Sequence, residues 1–459
     1  MRYLWLIAFV GVGLAVAAED AKYPPPKSLG DSSQFGRHLQ RTIKLLATST
    51  PDQRNTVRIL FYGQSITEQK WTKLVVADLQ ARFPHARLVA ENRAIGGFSA
   101  QLLIKTAETD LYSFNPDLVI FHVYGAHDKY EEIFRRIRSR TTAEILQQND
   151  HVTKDKDFTE ETNAAKLPPR GDHWDAFMNH NFLPDMAKKY HTEFCDQRAI
   201  WKQYLRDYQL EPKQLLSDNV HLNAHGEYLM AECVKAHLRY DANAKPTMPE
   251  HDAHNWVKVL KVEGKTFSFT GNRVVLPGVT LTKDADFRFT IDGKAPTELP
   301  NVNRLTRTTS YPGSNWPCIL LVQADKPRLV EEWTLTITEC APDHKLVKFR
   351  VQGSVTGFDG TGDSSQRFVS TSGRVIIQPD DWHVERCFKQ FKRPLPAQFA
   401  IKWQVLPNYW TAGQAADATN EVELIHGLPN GPHKLVLVGR SFADVKALRI
   451  HTPPLKVTP

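Results

Sequence analysis

Short apolar runs separated by helical patterns fill the first half of the chain, and strict alternation fills the second. The runs at 57–62, 86–91, 117–124, 143–148 and 192–195 read as strands. Between them apolar residues recur at helical spacing: Trp71, Leu74, Val75 and Leu79 in one segment, Tyr130, Ile133, Phe134 and Ile137 in another. A last helix is expected from Ala224 to about Tyr240. Strand then helix, repeated, predicts an α/β fold with a parallel sheet covered on both faces. From residue 255 the period falls to two, as in Thr266-Phe267-Ser268-Phe269-Thr270, Phe287-Arg288-Phe289-Thr290-Ile291 and Trp333-Thr334-Leu335-Thr336-Ile337. Asp292-Gly293, Thr361-Gly362-Asp363 and Pro429-Asn430-Gly431 read as turns, so this part is expected to be an all-β, sandwich-like region of one or two units.

At 459 residues the chain is too long for one typical domain. The expected division is a leader over 1–18, a lead-in over 19–50 containing Tyr23-Pro24-Pro25-Pro26, an α/β domain over 51–243, a polar linker over 244–254 and the β region over 255–459. In the leader, Met1-Arg2 precede an apolar run from Tyr3 to Val16, then small residues, then Glu19-Asp20. That order predicts a signal peptide on a secreted or periplasmic protein, and no later segment is apolar enough to span a bilayer. Five widely spaced cysteines without a CxxC pair exclude a zinc ribbon and a disulfide-dense scaffold, leaving room for one or two bridges. The formal charge of +7 permits weak attraction to anionic polymers. No nucleic-acid motif accompanies it, and Arg135-Arg136-Ile137-Arg138 reads as the solvated side of a helix.

Four places carry candidate chemistry. Gly63-Gln64-Ser65-Ile66 closes the first strand, where the sheet presents its carboxyl end and the next helix its N-terminus. Ser65 there is either a nucleophile or a helix cap forming a capping box with Glu68. Glu91-Asn92-Arg93-Ala94-Ile95-Gly96-Gly97 follows the second strand, and its glycines let backbone N–H groups approach an oxyanion or simply turn the chain. His122-Val123-Tyr124-Gly125-Ala126-His127-Asp128 ends the third strand. Asp218-Asn219-Val220-His221 precedes the last helix, a spacing at which a carboxylate can orient an imidazole on one turn. No HExxH and no compact Cys/His set is present, so neither a metal nor another cofactor is expected.

Taken in order, these blocks resemble the SGNH (GDSL-type) hydrolase family over about residues 55–240. Gly63-Gln64-Ser65-Ile66 is similar to its first block, with Gln64 where Asp is usual; Asn92 to Gly97 is similar to the second, and Asp218 with His221 to the fifth. The resemblance implies a flavodoxin-like, three-layer α/β/α domain and a serine esterase without a cofactor. It makes Ser65, Asp218 and His221 the catalytic set and gives the oxyanion hole to Ser65, Gly97 and His127. His127 stands where the family's third block has Asn; an imidazole N–H can also donate. Asn149, Asp150 and His151, at the end of the fourth strand, are candidates for lining the substrate crevice.

The implied substrate is an ester, most simply an acetylated carbohydrate for an exported member. A lipase or thioesterase, a sugar O-acyltransferase, and a non-catalytic polysaccharide-binding protein are the alternatives. Trp316, Trp382, Tyr409 and Trp410 are candidates for stacking on sugars, although aromatics in strands are more often core. The segment 356–363 has oxygen ligands suited to Ca²⁺ but lacks EF-hand spacing, and reads more simply as a Gly/Asp-rich turn.

Overall fold

The computed structural model describes residues 22–168, 173–244, 249–281, 285–300, 302–411 and 421–456. The expected signal peptide lies outside the described residues, as does part of the expected linker. The chain forms two compact units. Of the described residues, one unit gathers those up to Gly97 with Asp117–Val123 and those from Glu144 to Ala253; the other gathers Phe98–Pro116, Tyr124–Ala143 and those from His254 onward.

In chain order, the elements up to the last helix are α1 (Gln40–Ala47), β1 (Thr56–Gly63), α2 (Ser65–Glu68), α3 (Trp71–Arg82), β2 (Arg87–Asn92), α4 (Ala100–Asp110), β3 (Leu118–His122), α5 (His127–Arg140), β4 (Glu144–Gln148), α6 (Trp174–Phe177), α7 (Leu183–Tyr190), β5 (Glu193–Cys195), α8 (Gln197–Asp207) and α9 (Ala224–His237). The five strands form one parallel sheet in the order β2-β1-β3-β4-β5, the flavodoxin-like order. Residues of both parities along β1 and β3 are buried, Ile59 and Phe61 as well as Leu60 and Tyr62, which is why these strands read as continuous apolar runs. On one face Val57, Ile59, Phe61, Leu118, Ile120 and Leu146 pack with Ile43 of α1, Val75 of α3, Trp201 of α8 and Leu229 of α9.

Buried polar groups fix the edges of this unit. Leu39 cannot cap α1, and the carboxylate of Glu144 instead accepts the Arg41 and Thr42 N–H groups at 3.0 and 2.7 Å. The Pro-rich lead-in lies along α8 and α9: the Tyr204 hydroxyl donates to the Pro24 carbonyl, the Tyr208 hydroxyl to that of Pro25, and the Tyr23 ring stacks on His225. Among the described residues no helix is long and apolar enough to cross a membrane.

The second unit contains α4 and α5 together with β6 (Val257–Lys261), β7 (Thr266–Pro277), β8 (Arg288–Ile291), β9 (Asn303–Leu305), β10 (Glu332–Cys340), β11 (Val347–Gly353), β12 (Gly357–Asp363), β13 (Phe368–Val369), β14 (Ile376–Ile377), β15 (Ala400–Pro407), β16 (Glu421–Val438) and β17 (Ala447–His451). Two five-stranded sheets run β12-β11-β10-β15-β9 and β6-β17-β7-β16-β8, and β13 pairs with β14. All pairings in them are antiparallel. One short helix, α10 (Val384–Phe391), interrupts the β texture. Polar contacts tie both long helices to this region: Lys105 of α4 pairs with Asp380 and Asp381, Arg307 pairs with Asp110 of α4, and the Asn272 amide donates to the Arg140 carbonyl of α5.

Several sequence expectations need correction here. Asp292-Gly293 does turn the chain, with Ile291 and Lys294 bridged, but Thr361-Gly362-Asp363 lies within β12 and Pro429-Asn430-Gly431 within an irregular stretch of β16. The segment read as a Gly/Asp-rich turn is therefore mostly strand, and the Asp359 carboxylate is engaged by the N–H and hydroxyl of Ser372. Trp316, Tyr409 and Trp410 are buried in the unit's interior and Trp382 is half-buried, so they offer no exposed stacking platform. Arg138 is buried, donating to the Ala143 carbonyl and lying over the Trp256 ring, while Arg135 pairs with Glu132. All five cysteines are free thiols.

Candidate active site

Ser65, Asp218 and His221 are brought together within the first unit. β1 ends at Gly63, opposite His122 of β3, and Ser65 opens the four-residue helix α2. Ser65 is not a cap: Gln64 holds that position, without a side-chain capping bond to the helix. The helix α3 with the expected apolar spacing starts only at Trp71, so Ser65 sits on a short helix of its own. The indole N–H of Trp71 donates to the Ile66 carbonyl at 2.6 Å and fastens the short helix down.

Asp218 and His221 form one tight turn. Asp218 Oδ1 accepts the backbone N–H groups of Val220 and His221, both at 2.7 Å, and Oδ2 lies 2.7 Å from His221 Nδ1. These bonds, the backbone N–H of His221 first and its ring second, hold the Asp218 carboxyl down to about 2. The ionised carboxylate makes Nδ1 the protonated nitrogen, which leaves Nε2 as an acceptor. Nε2 lies 2.9 Å from Ser65 Oγ. The serine O–H thus faces an imidazole nitrogen whose tautomer is fixed from behind.

The second block places glycine backbone beside the serine. A Cβ on Gly96 would meet Ser65 Cβ at 3.3 Å and the Glu68 carboxylate at 2.6 Å, so the chain passes very close to the serine. Gly97 adopts φ 76°, a conformation that side chains disfavour. Asn92 supports this turn from below, accepting the Ala94 N–H and donating to the Thr67 carbonyl. His127 belongs to the other unit, as the first residue of α5; burial lowers its pKa, so its ring is neutral at pH 7 and carries one N–H.

The three residues after β4 turn out to be internal supports. Asn149 is buried, donates to Asp196 and accepts the Arg198 N–H; His151 is fully buried. Asn149 and His151 thus spend their side-chain polar atoms on partners inside the fold. Asp150 is half-buried and accepts from His151 Nδ1 at 2.9 Å, with His122 Nε2 at 3.4 Å. Burial alone would raise its pKa, but the charge of His151 and the hydrogen bonds of both histidines outweigh it and hold the carboxyl well below the usual range.

Gln69 is a site residue that no motif singles out. Its amide pairs both ways with the backbone of Leu222, next to His221: Nε2 donates to the carbonyl at 2.8 Å and Oε1 accepts the N–H at 3.0 Å. The segment that carries Ser65 is thereby clamped to the turn that carries His221. Gln69→Ala removes both bonds and is expected to destabilise the protein by about 1–2 kcal/mol, read as a lowered urea midpoint at unchanged m-value.

No family model matches the chain, and no curated protein matches it. Among solved structures, an acetylxylan esterase from Geobacillus stearothermophilus is 18% identical, with 42% of this chain and 97% of that chain covered at a TM-score of 0.34. An α/β hydrolase enzyme from the metagenome of Lake Arreo, Spain, is 19% identical, with 40% and 94% covered at 0.32. A further acetyl xylan esterase, AlAXEase, is 19% identical, with 39% and 98% covered at 0.32.

Proposed function

We propose that this chain hydrolyses carboxylic esters through an acyl-serine intermediate, as its SGNH resemblance implies. The observation that carries this reading is the unbroken hydrogen-bonded series from Asp218 through His221 to Ser65, at 2.7 and 2.9 Å. His221 Nε2 takes the Ser65 proton as Oγ bonds to the ester carbonyl carbon. The backbone N–H groups of Ser65 and Gly97 receive the oxyanion. Collapse breaks the bond to the alcohol, which leaves with the proton from His221. Water then gives a proton to His221 and attacks the acyl carbon, releasing the acid and restoring Ser65.

The substrate we propose is an acetylated carbohydrate met outside the cytoplasm. The leader-like first residues support the location. The side chains of Asp218 and His221 are 57% and 40% exposed, which leaves a bulky alcohol room to approach the base. The test uses the full-length protein with a fluorophosphonate probe and a series of chromogenic esters. Stoichiometric labelling at Ser65 and fastest turnover of the acetate are expected. A preference for long acyl chains points to a lipase, and absence of both labelling and turnover leaves a non-catalytic carbohydrate binder.

A further inference from the structure

We infer that buried His151 is a positioning residue for this reaction, holding the backbone carbonyl of Val220 and thereby the height of the His221 ring over Ser65. The inference rests on the esterase reading above. His151 Nε2 lies 2.8 Å from the Val220 carbonyl oxygen, and Nδ1 lies 2.9 Å from Asp150 Oδ1. A carbonyl and an ionised carboxylate are both acceptors, so the ring donates from both nitrogens. The ring has no freedom to turn, since a flip would set C–H groups against both acceptors. It also packs against Trp201, and its own carbonyl accepts from Arg198 Nη1 at 2.7 Å.

What His151 holds is half of one peptide group. The carbonyl of Val220 and the N–H of His221 belong to the same planar unit. Asp218 takes the N–H at 2.7 Å, and His151 takes the carbonyl at 2.8 Å. The plane from which the His221 side chain departs is therefore fixed at both edges. Val220 itself is 47% exposed, so its side chain does little to hold the turn. Asp150 and His122 complete the support by fixing the His151 ring from the sheet side.

The experiment compares His151→Gln with His151→Asn in the full-length protein, with Ser65→Ala run in parallel. Gln reaches the position of Nε2 and can still donate to the Val220 carbonyl; Asn matches only Nδ1. His151→Gln is expected to keep kcat within about threefold. His151→Asn is expected to lose about tenfold or more in kcat with KM within about twofold, because a small misplacement of a catalytic group is costly. Equal losses in the two variants, or a Gln variant that folds and loses more than about tenfold, overturn the inference. If only His151→Asn fails to fold, the Gln variant decides alone; failure of both makes the residue purely structural and also overturns it. Retained ester turnover in Ser65→Ala brings down the esterase reading itself, which separates the two failures.

Discussion

Ser65→Ala is expected to lower kcat for a chromogenic acetate ester by about 10⁴-fold or more, with the thermal midpoint almost unchanged. The size follows from the geometry. Ser65 Oγ lies 2.9 Å from His221 Nε2, and an acyl-serine intermediate cannot form without it. Removing one hydroxyl from a half-buried position opens no core cavity, so stability has little to lose. His221→Ala should cost about as much. The double variant should be no worse than either single one, because a nucleophile without its base and a base without its nucleophile are equally idle. Asp218→Asn should cost less than either, since Gln69 and Ser217 still grip the peptide group between His221 and Leu222. Turnover by Ser65→Ala above about a tenth of the parent would falsify the acyl-serine mechanism.

How far sequence could lead to this site depends on the range of the interactions involved. β1 and β3 were legible because burial on both faces turns them into apolar runs, and the parallel arrangement was legible from the helical periods between the strands. Ser65 and the Asp218–His221 turn were legible because each is a short local motif. Their junction was not, because Gln69 and Leu222 are 153 residues apart and neither residue type announces a clamp. The internal partner of His151 was not legible for the same reason: a histidine after a strand gives no sign that it meets a backbone carbonyl 69 positions later. The grouping of α4 and α5 with the β region rests on pairs such as Lys105 with Asp381, 276 residues apart, which no periodicity encodes. Glycine- and asparagine-rich segments in β12 and β16 looked like turns because turn residues also serve strand irregularities.

The largest stability effect is expected at Gly63, two residues before the serine. A methyl group there would lie 2.3 Å from the His122 carbonyl oxygen and 2.3 Å from Thr67 Oγ1. Neither neighbour can give way cheaply. Gly63 and His122 are register partners at the end of the parallel ladder, and Thr67 is fully buried in the short helix that presents Ser65. Relief requires β1 and β3 to part or α2 to lift, and either shifts Ser65 away from His221. Gly63→Ala should therefore cost about 3 kcal/mol or more, seen as a lower urea midpoint or as protein recovered only from the insoluble fraction. Any folded remainder should also show a lower kcat, because the misplaced oxygen no longer meets Nε2. Gly431→Ala is the matched control. Nothing lies within 4 Å of a Cβ there, and its φ is not in the positive region, so a change within about 0.5 kcal/mol is expected. Equal stabilities for the two variants would mean that the close approach of β3 and α2 to Gly63 does not exist in solution, and with it the geometric reason that a glycine precedes the nucleophile.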